Sequence, residues 1–296
     1  MNIYQQINAN RQKTWLIMAF FIAFISLVAY VFGQAQESGF SYLGIALIIS
    51  GLLTLGSYYF GDQVILKISN ARPAKRKKDF NFFTVTENLC IGVGLPMPKL
   101  YVIDDSAPNA FATGRDPDHA VVCATSGLLN KLDRAELEGV IAHELSHIKN
   151  YDIRLMAIVA VLVGMIAYLA DIFNRSLWWR GRERKEKEGQ GFLIFIGVVL
   201  AILSPLIAQL IQLAISRKRE FLADASAALL TRNPYALADA LEKISKDKEV
   251  LEAANNATAH LYIINPFKGK EFGAWFAHLF NTHPPVEERI KILRSL

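Results

Sequence analysis

The chain has 296 residues, of which 52% are hydrophobic, and its mean hydropathy is +0.25. That hydropathy exceeds what an ordinary soluble domain needs, so a purely soluble globular protein is disfavoured. The net charge of +5 and the isoelectric point near 9.1 indicate contact of basic loops with anionic lipid, and we expect no nucleic-acid partner.

Four apolar segments carry the excess hydropathy, and each is close to the roughly 20 residues that span a bilayer as a helix. They cover residues 15–32, 40–60, 155–173 and 192–215. Arg11 and Lys13 precede the first segment, as in a signal peptide, but the segment lacks a clear small-x-small cleavage site. We therefore predict a retained anchor and a lipid bilayer as partner.

Basic residues predict the orientation of these segments. The loop 33–39 has no Lys or Arg, whereas residues 62–154 have twelve, including the run 75–78. The positive-inside rule therefore puts the N-terminus and residues 62–154 in the cytoplasm. The loop 174–191 holds six Lys or Arg against three Glu, and two full crossings would export it against this rule. Either the short basic loop is translocated nevertheless, or the last two segments form a protein-packed hairpin near the active site.

Short strands are predicted between the second and third apolar segments. KLYVID, NAFATG and HAVVCATSG each read as a strand, with a turn over residues 115–118 between the last two. The two cysteines, Cys90 and Cys123, lie in this region without metal-ligand spacing. We predict that both are free thiols in the core.

A His-Glu-x-x-His motif follows the strands. With 6 His and 15 Glu in 296 residues, roughly 0.006 accidental matches are expected, so chance is a poor explanation. Asp133 stands three residues before Glu136, the spacing of a capping box. The motif therefore lies on a helix, where His143 and His147 share one face.

That spacing is typical of a catalytic zinc site. His143 and His147 would supply two metal ligands, and Glu144, about 100° around the helix, would point toward the open position and accept a proton from water. The alternative is a pair of ordinary exposed or core histidines.

Helical geometry narrows the choice of a third ligand. Asp152 lies nine residues after His143 and would face away if the helix continued. Glu136 and Glu138 lie upstream, and the glutamates of the loop 174–191 sit among basic residues that favour solvation.

Glu220 remains as the third ligand. Asp224 lies one turn later on the same face and would accept the N–H of a ligand histidine, as carboxylates often do at zinc sites. The alternative is a helix that carries an ordinary salt-bridged Glu and Asp.

Four stretches of the chain resemble the HtpX-type membrane zinc metalloproteases, bacterial relatives of the endopeptidases that process prenylated CAAX proteins. They are PNAFATGRDPDHAVVCATSGLL, ELEGVIAHELSHIKNYD, SRKREFLADASAALL and THPPVEERI. The resemblance implies that His143, His147 and Glu220 bind one zinc ion per subunit and that Glu144 is the general base. It also implies cleavage of membrane or misfolded proteins, as in membrane quality control, at the cytoplasmic side of the bacterial cell membrane.

The resemblance also assigns residues that contact the substrate. It implies that Asn109, Ala110 and Phe111 pair with an extended polypeptide, although a plain hairpin strand explains them equally well. His283 would donate to the developing oxyanion, or it is a surface loop histidine. Arg289 is a further candidate near the substrate, unless it only pairs with a neighbouring glutamate.

We therefore predict a mainly α fold with a small β-sheet, in which polytopic membrane helices accompany a zincin-type cytoplasmic protease domain. Residues 1–61 and 155–216 form two transmembrane hairpins, and residues 62–154 and 217–296 form the protease domain. A non-catalytic membrane scaffold with a structural metal is the alternative. Structural zinc sites have four protein ligands, and the three found here favour catalysis.

Overall fold

Two long helices open the chain. The structure, a computed structural model, describes residues 3–34, 39–164, 217–255, 257–267 and 284–296. Helix α1 covers Ile3–Gln34 and helix α2 covers Gly39–Ile68. Each is about 45–48 Å long at 1.5 Å per residue, which exceeds the roughly 30 Å hydrocarbon thickness of a bilayer.

Helices α1 and α2 pack side by side and expose apolar side chains elsewhere. Leu16 of α1 is 68% exposed and Leu52 of α2 is 66% exposed. Within the described residues, Leu43–Ile68 is the one segment long and apolar enough to cross a membrane, and it covers most of the predicted segment 40–60. The segment 15–32 lies in α1, and its last side chains are outside the described ones.

The third predicted membrane segment is described only in part. Residues 155–164 belong to a helical stretch, 152–164, and are largely buried. They pack against α1 through Ile17, Met18 and Phe21. The remainder of this segment and the whole of 192–215 lie outside the described residues, so the number of crossings stays a prediction.

A small mixed sheet lies between the end of helix α2 and the motif helix. Its strands are β1 (Arg72–Pro73), β2 (Lys99–Ile103), β3 (Ala110–Gly114) and β4 (Ala120–Thr125). The order is β1-β2-β4-β3, with β2 and β4 parallel and the other pairs antiparallel. The three predicted strands are thus confirmed, and β3 is an edge strand of the sheet.

Side chains alternate between two cores on the faces of this sheet. Ala110, Ala112 and Val122 face helix α3 (Phe80–Val93) and helix α5 (Arg134–Lys149). Phe111 and Cys123 face the end of α2 and the stretch 152–164. Cys90 and Cys123 are free and buried, as predicted, and burial raises the pKa of the Cys90 thiol to about 11.

Helix α5 is the centre of the helices that pack around the sheet. It packs against α3 and against helices α6 (Arg217–Thr231) and α7 (Pro234–Lys246). Gly139 permits the close contact with α7, because a Cβ there would lie 2.9 Å from the Cα of Leu237. The short helix α4 (Ser126–Lys131) precedes α5, and helix α8 (Val286–Leu293) packs on α6 and α7. The fold is mainly helical with a small mixed sheet.

Candidate metal centre and active site

Helix α5 begins with the predicted capping box and carries both motif histidines. The Asp133 side chain accepts the N–H of Glu136, and the Glu136 carboxylate accepts the N–H of Asp133. One turn separates His143 from His147, and their Nε2 atoms are 3.2 Å apart. Both rings are buried, so the two nitrogens meet inside the protein.

A carboxylate holds each ring from the opposite side. Asp224 Oδ1 is 2.9 Å from Nδ1 of His143, and Asp152 Oδ2 is 2.9 Å from Nδ1 of His147. A carboxylate at Nδ1 keeps the ring proton there and leaves the Nε2 lone pair for a metal. Two such lone pairs facing each other need a cation between them.

The expectation that Asp152 faces away from the histidines is wrong. It assumed that the helix continues, whereas α5 ends at Lys149 and Tyr151 adopts a left-handed φ of 59°. The chain turns there and brings Asp152 back beside His147. Asn150 was the available signal, because Asn is common where a helix ends.

Helix α6 brings Glu220 to the two histidines. Glu220 Oε2 is 3.7 Å from Nε2 of His143, and Oε1 is 3.5 Å from Nε2 of His147. One ligand atom from each of the three residues lies within 4.8 Å of the others. Ligands at 2.0–2.1 Å from a tetrahedral zinc ion are about 3.3 Å apart. The closest approaches of 3.2, 3.5 and 3.7 Å are near that value, with a different Glu220 oxygen facing each histidine, and these are the residues that would hold the ion.

The surrounding charges also favour a cation. Burial acts to lower the pKa of His147, but the hydrogen bond to Asp152 and the charge of Glu220 outweigh it and raise the pKa to about 9. Burial lowers the pKa of His143, against the pull of Asp224. Carboxylates that hold a proton at His147 attract a divalent metal ion by the same force.

Arg289 is buried beside this group. Its guanidinium donates to both oxygens of Asp224, at 2.8 and 2.7 Å, and to the carbonyl of Ile263 at 3.0 Å. Burial acts to raise the pKa of Asp224, but Arg289 outweighs it and holds the pKa at about 2. These contacts position Asp224 behind His143. A contact of Arg289 with substrate stays a prediction.

The Glu144 side chain lies between its own helix α5 and strand β3. It is 2% exposed, and burial raises its pKa to about 7. The backbone of Ala112 in β3 acts on this carboxylate in the opposite sense and lowers its pKa, as does the charge of His147. Glu144 thus stands beside the two histidines with its charge directed at the edge strand.

The three residues predicted to bind substrate are buried. Asn109 donates from Nδ2 to the carbonyl of Ile264 at 2.9 Å. Phe111 packs edge-to-face on Tyr262, with ring centroids 5.1 Å apart. The Ala110 carbonyl accepts the N–H of Ile263 at 3.0 Å. In this structure Asn109, Ala110 and Phe111 hold β3 to the segment around Ile263, and a substrate role for them stays a prediction.

Other residues extend the group beyond the sequence prediction. Asn10 of α1 donates to Asp152 at 2.7 Å and accepts from Arg219 at 3.0 Å. Asn10 lies 133 residues before His143. Helix and strand periodicity relates only residues that are close in sequence, so no pattern predicts this contact. His283, the predicted oxyanion donor, lies outside the described residues.

Comparison with known proteins gives consistent matches along the chain. The sequence model of Peptidase family M48 matches residues 77–296. A protein named "Protease HtpX homolog" from Dictyoglomus thermophilum is 46% identical over 293 residues, covering 99% of this chain and 94% of that protein. Its namesake from Caldanaerobacter subterraneus subsp. tengcongensis is 42% identical over 298 residues, with 99% and 98% covered.

Among solved structures, Ste24p of S. mikatae is similar to this chain with a TM-score of 0.50 and 20% sequence identity. The match covers 97% of this chain and 66% of that one, so the chain spans about two thirds of the length of Ste24p. At this identity the likeness is one of fold.

Proposed function

This chain belongs to peptidase family M48, and on that premise we propose a zinc endopeptidase that cleaves membrane or misfolded polypeptides at a bacterial cell membrane. The observation that carries the proposal is the convergence of His143, His147 and Glu220, whose ligand atoms lie within 4.8 Å of one another. Glu144 follows the first ligand directly, so a base stands beside the site.

Zinc, when bound, would supply the charge that lowers the pKa of a water molecule and polarises the carbonyl of the scissile bond. Glu144 takes the proton of the attacking water as the water oxygen bonds to the carbonyl carbon. Glu144 then delivers that proton to the amine nitrogen as the C–N bond breaks. Its burial, at 2% exposure, keeps competing water away from the carboxylate.

The carboxylates behind the histidines keep the ligands in place for this reaction. Asp224 and Asp152 hold the Nδ1 protons of His143 and His147, so that both Nε2 atoms face the ion. Arg289 holds Asp224 through two hydrogen bonds. We propose that Arg289 acts through Asp224.

The position of β3 at the edge of the sheet supports the binding of an extended polypeptide. Asn109 pairs with β4, because its carbonyl accepts the N–H of Thr125. The strand alternation then directs the backbone groups of Ala110, Ala112 and Gly114 to the opposite edge. Ile263 already pairs with Ala110 and the Ala112 N–H faces Glu144, so we propose that the Ala112 carbonyl and the backbone of Gly114 pair with substrate. Since β3 is buried, the polypeptide must displace what covers it.

His283 completes the proposed reaction. On the resemblance alone, we propose that its side chain donates a hydrogen bond to the oxyanion that forms at the scissile carbonyl. Replacement of His283 by Phe should lower kcat more than it changes KM, because the bond strengthens in the transition state.

The exposed apolar faces of α1 and α2 support placement in a lipid bilayer, because side chains such as Leu16 and Leu52 are more than 60% exposed. We propose that the metal centre faces the cytoplasm, on the same side as the basic run 75–78. Introduced cysteines should react with an impermeant reagent from outside in the loop 33–39 and stay protected at 75–78. The opposite pattern would refute the orientation.

The decisive experiment combines zinc content with cleavage of an unfolded protein such as casein, with and without a chelator. We expect about one zinc per chain, cleavage of casein, and loss of cleavage when the zinc is removed. Full zinc content without cleavage would indicate a scaffold with a structural metal.

A further inference from the structure

Asn10 is a buried amide near the start of helix α1. It lies five residues before the predicted membrane segment 15–32 and is 3% exposed. Burial of an amide is unfavourable unless hydrogen bonds satisfy it. The partners of Asn10 therefore indicate what it is for.

Those partners adjoin the metal ligands on both elements. The Asn10 Nδ2 group donates to Asp152 Oδ1 at 2.7 Å and to the Asn150 carbonyl at 3.0 Å. Its Oδ1 atom accepts from Arg219 at 3.0 Å. Arg219 directly precedes Glu220, and Asp152 contacts His147. One side chain of α1 thus joins the turn after α5 to the start of α6.

The two carboxylate oxygens of Asp152 contact different partners. Oδ2 faces Nδ1 of His147, while Oδ1 is held by Asn10 and, at 3.3 Å, by Arg219. A carboxylate fixed at one oxygen has little freedom to rotate, so the direction of the other oxygen is also fixed. The orientation of the His147 ring therefore depends on α1.

We propose that Asn10 is a positioning residue for the metal centre, which acts through Asp152 to hold His147 in the orientation that binds zinc. This inference rests on the proposed function, because it assumes that His147 is a zinc ligand. It makes the first helix part of the metal site, so that correct docking of α1 and tight binding of the metal go together.

The test measures zinc affinity of the full chain by competition with a chromophoric chelator, in a Glu144→Gln background that prevents self-cleavage. Asn10→Ala and Asn10→Leu both remove the amide, and Leu keeps its volume. We expect both to weaken zinc binding about 10-fold, the lower end of the range for residues behind a ligand. If only the Ala variant weakens binding, a cavity is the cause and the proposal fails.

The matched control is Thr14→Val. Thr14 lies one turn further along α1, is 1% exposed, and its hydroxyl donates to the Asn10 carbonyl of its own helix at 2.8 Å. This variant removes a buried polar group from the same face without touching Asp152. Its zinc affinity should match that of the parent. An equal loss would show that any disturbance of α1 weakens the site.

A double-mutant cycle separates a positioning role from simple attachment of α1. In an Asp152→Ala background, Asn10→Leu should have no further effect on zinc affinity, because the residue it acts through is gone. The full 10-fold loss in that background would overturn the proposal. If the unmutated chain binds zinc but cleaves nothing, the proposed protease function is refuted. The zinc-affinity measurements still test the role of Asn10, because they do not depend on cleavage.

Discussion

Helices α5 and α2 relate side-chain chemistry to burial in opposite ways. Helix α5 buries ionisable side chains such as His143, Glu144 and His147, whereas α2 exposes apolar ones such as Ile48 and Leu52. Buried ionisable groups are stable where partners or a metal compensate them, and exposed apolar faces are stable where the surroundings are not water. The contrast is the one expected between a metal-binding core and a helix in lipid.

The largest effect should follow the loss of a metal ligand in the core. Replacement of His143, His147 or Glu220 by Ala should lower zinc affinity by one to several orders of magnitude and abolish proteolysis, since each would supply one ligand atom. His119→Ala is the control, because that histidine is exposed and pairs with Asp116. Full zinc content in Glu220→Ala would exclude Glu220 as a ligand.

Substitution of the proposed base should affect turnover but not zinc content, unlike substitution of the ligands. Glu144→Gln keeps the shape of the side chain and should keep the zinc, while turnover falls by about 10²–10⁴-fold and self-cleavage during purification stops. Glu138→Gln, at a half-buried position of the same helix where the side chain pairs with Arg134, should change neither quantity. A variant at position 144 with normal cleavage and normal zinc would show that Glu144 is not the base.

Arg289 tests how strongly the core depends on compensated charge. Arg289→Met leaves the buried Asp224 carboxylate without its main cation, and we expect a loss of about 3–5 kcal/mol in the free energy of unfolding. Thermal denaturation in detergent measures the loss. The exposed Arg294 pairs with Asp239 and Glu242, and its replacement by Met should leave the melting temperature unchanged. Equal effects would mean that burial of Arg289 is unimportant.

One substitution distinguishes lipid from water around the exposed apolar residues. Leu52→Lys should cost about 2.5–3.5 kcal/mol in the apparent free energy of membrane insertion, measured by glycosylation mapping. Ile91 of α3 is 77% exposed, and we expect it to face water. Ile91→Lys should therefore change the free energy of unfolding by no more than about 0.5 kcal/mol. If Leu52→Lys is equally harmless, α2 does not face lipid.

Short-range sequence patterns determined much of the secondary structure and the position of the motif residues on it. The four-residue spacing of His143 and His147, the capping box at Asp133 and the alternation in the strands depend on neighbours within a few residues, so helix and strand geometry alone predicts them. Glu220 and Asp224 also followed from helical spacing, because they lie one turn apart on a single helix. The Glu220 assignment further required the elimination of carboxylates that geometry makes unsuitable.

Tertiary structure decided the rest. Asp152 contacts His147 because helix α5 ends at Lys149 and the chain turns at Tyr151, where Asn10 of α1 donates to the Asn150 carbonyl. Arg289 reaches Asp224 across 65 residues, and Asn10 reaches Asp152 across 142. Such contacts form only when distant elements pack together, and a buried polar side chain takes whichever partner that packing supplies. The sequence alone therefore predicts which residues converge at the candidate metal centre better than it predicts the residues that hold them in place.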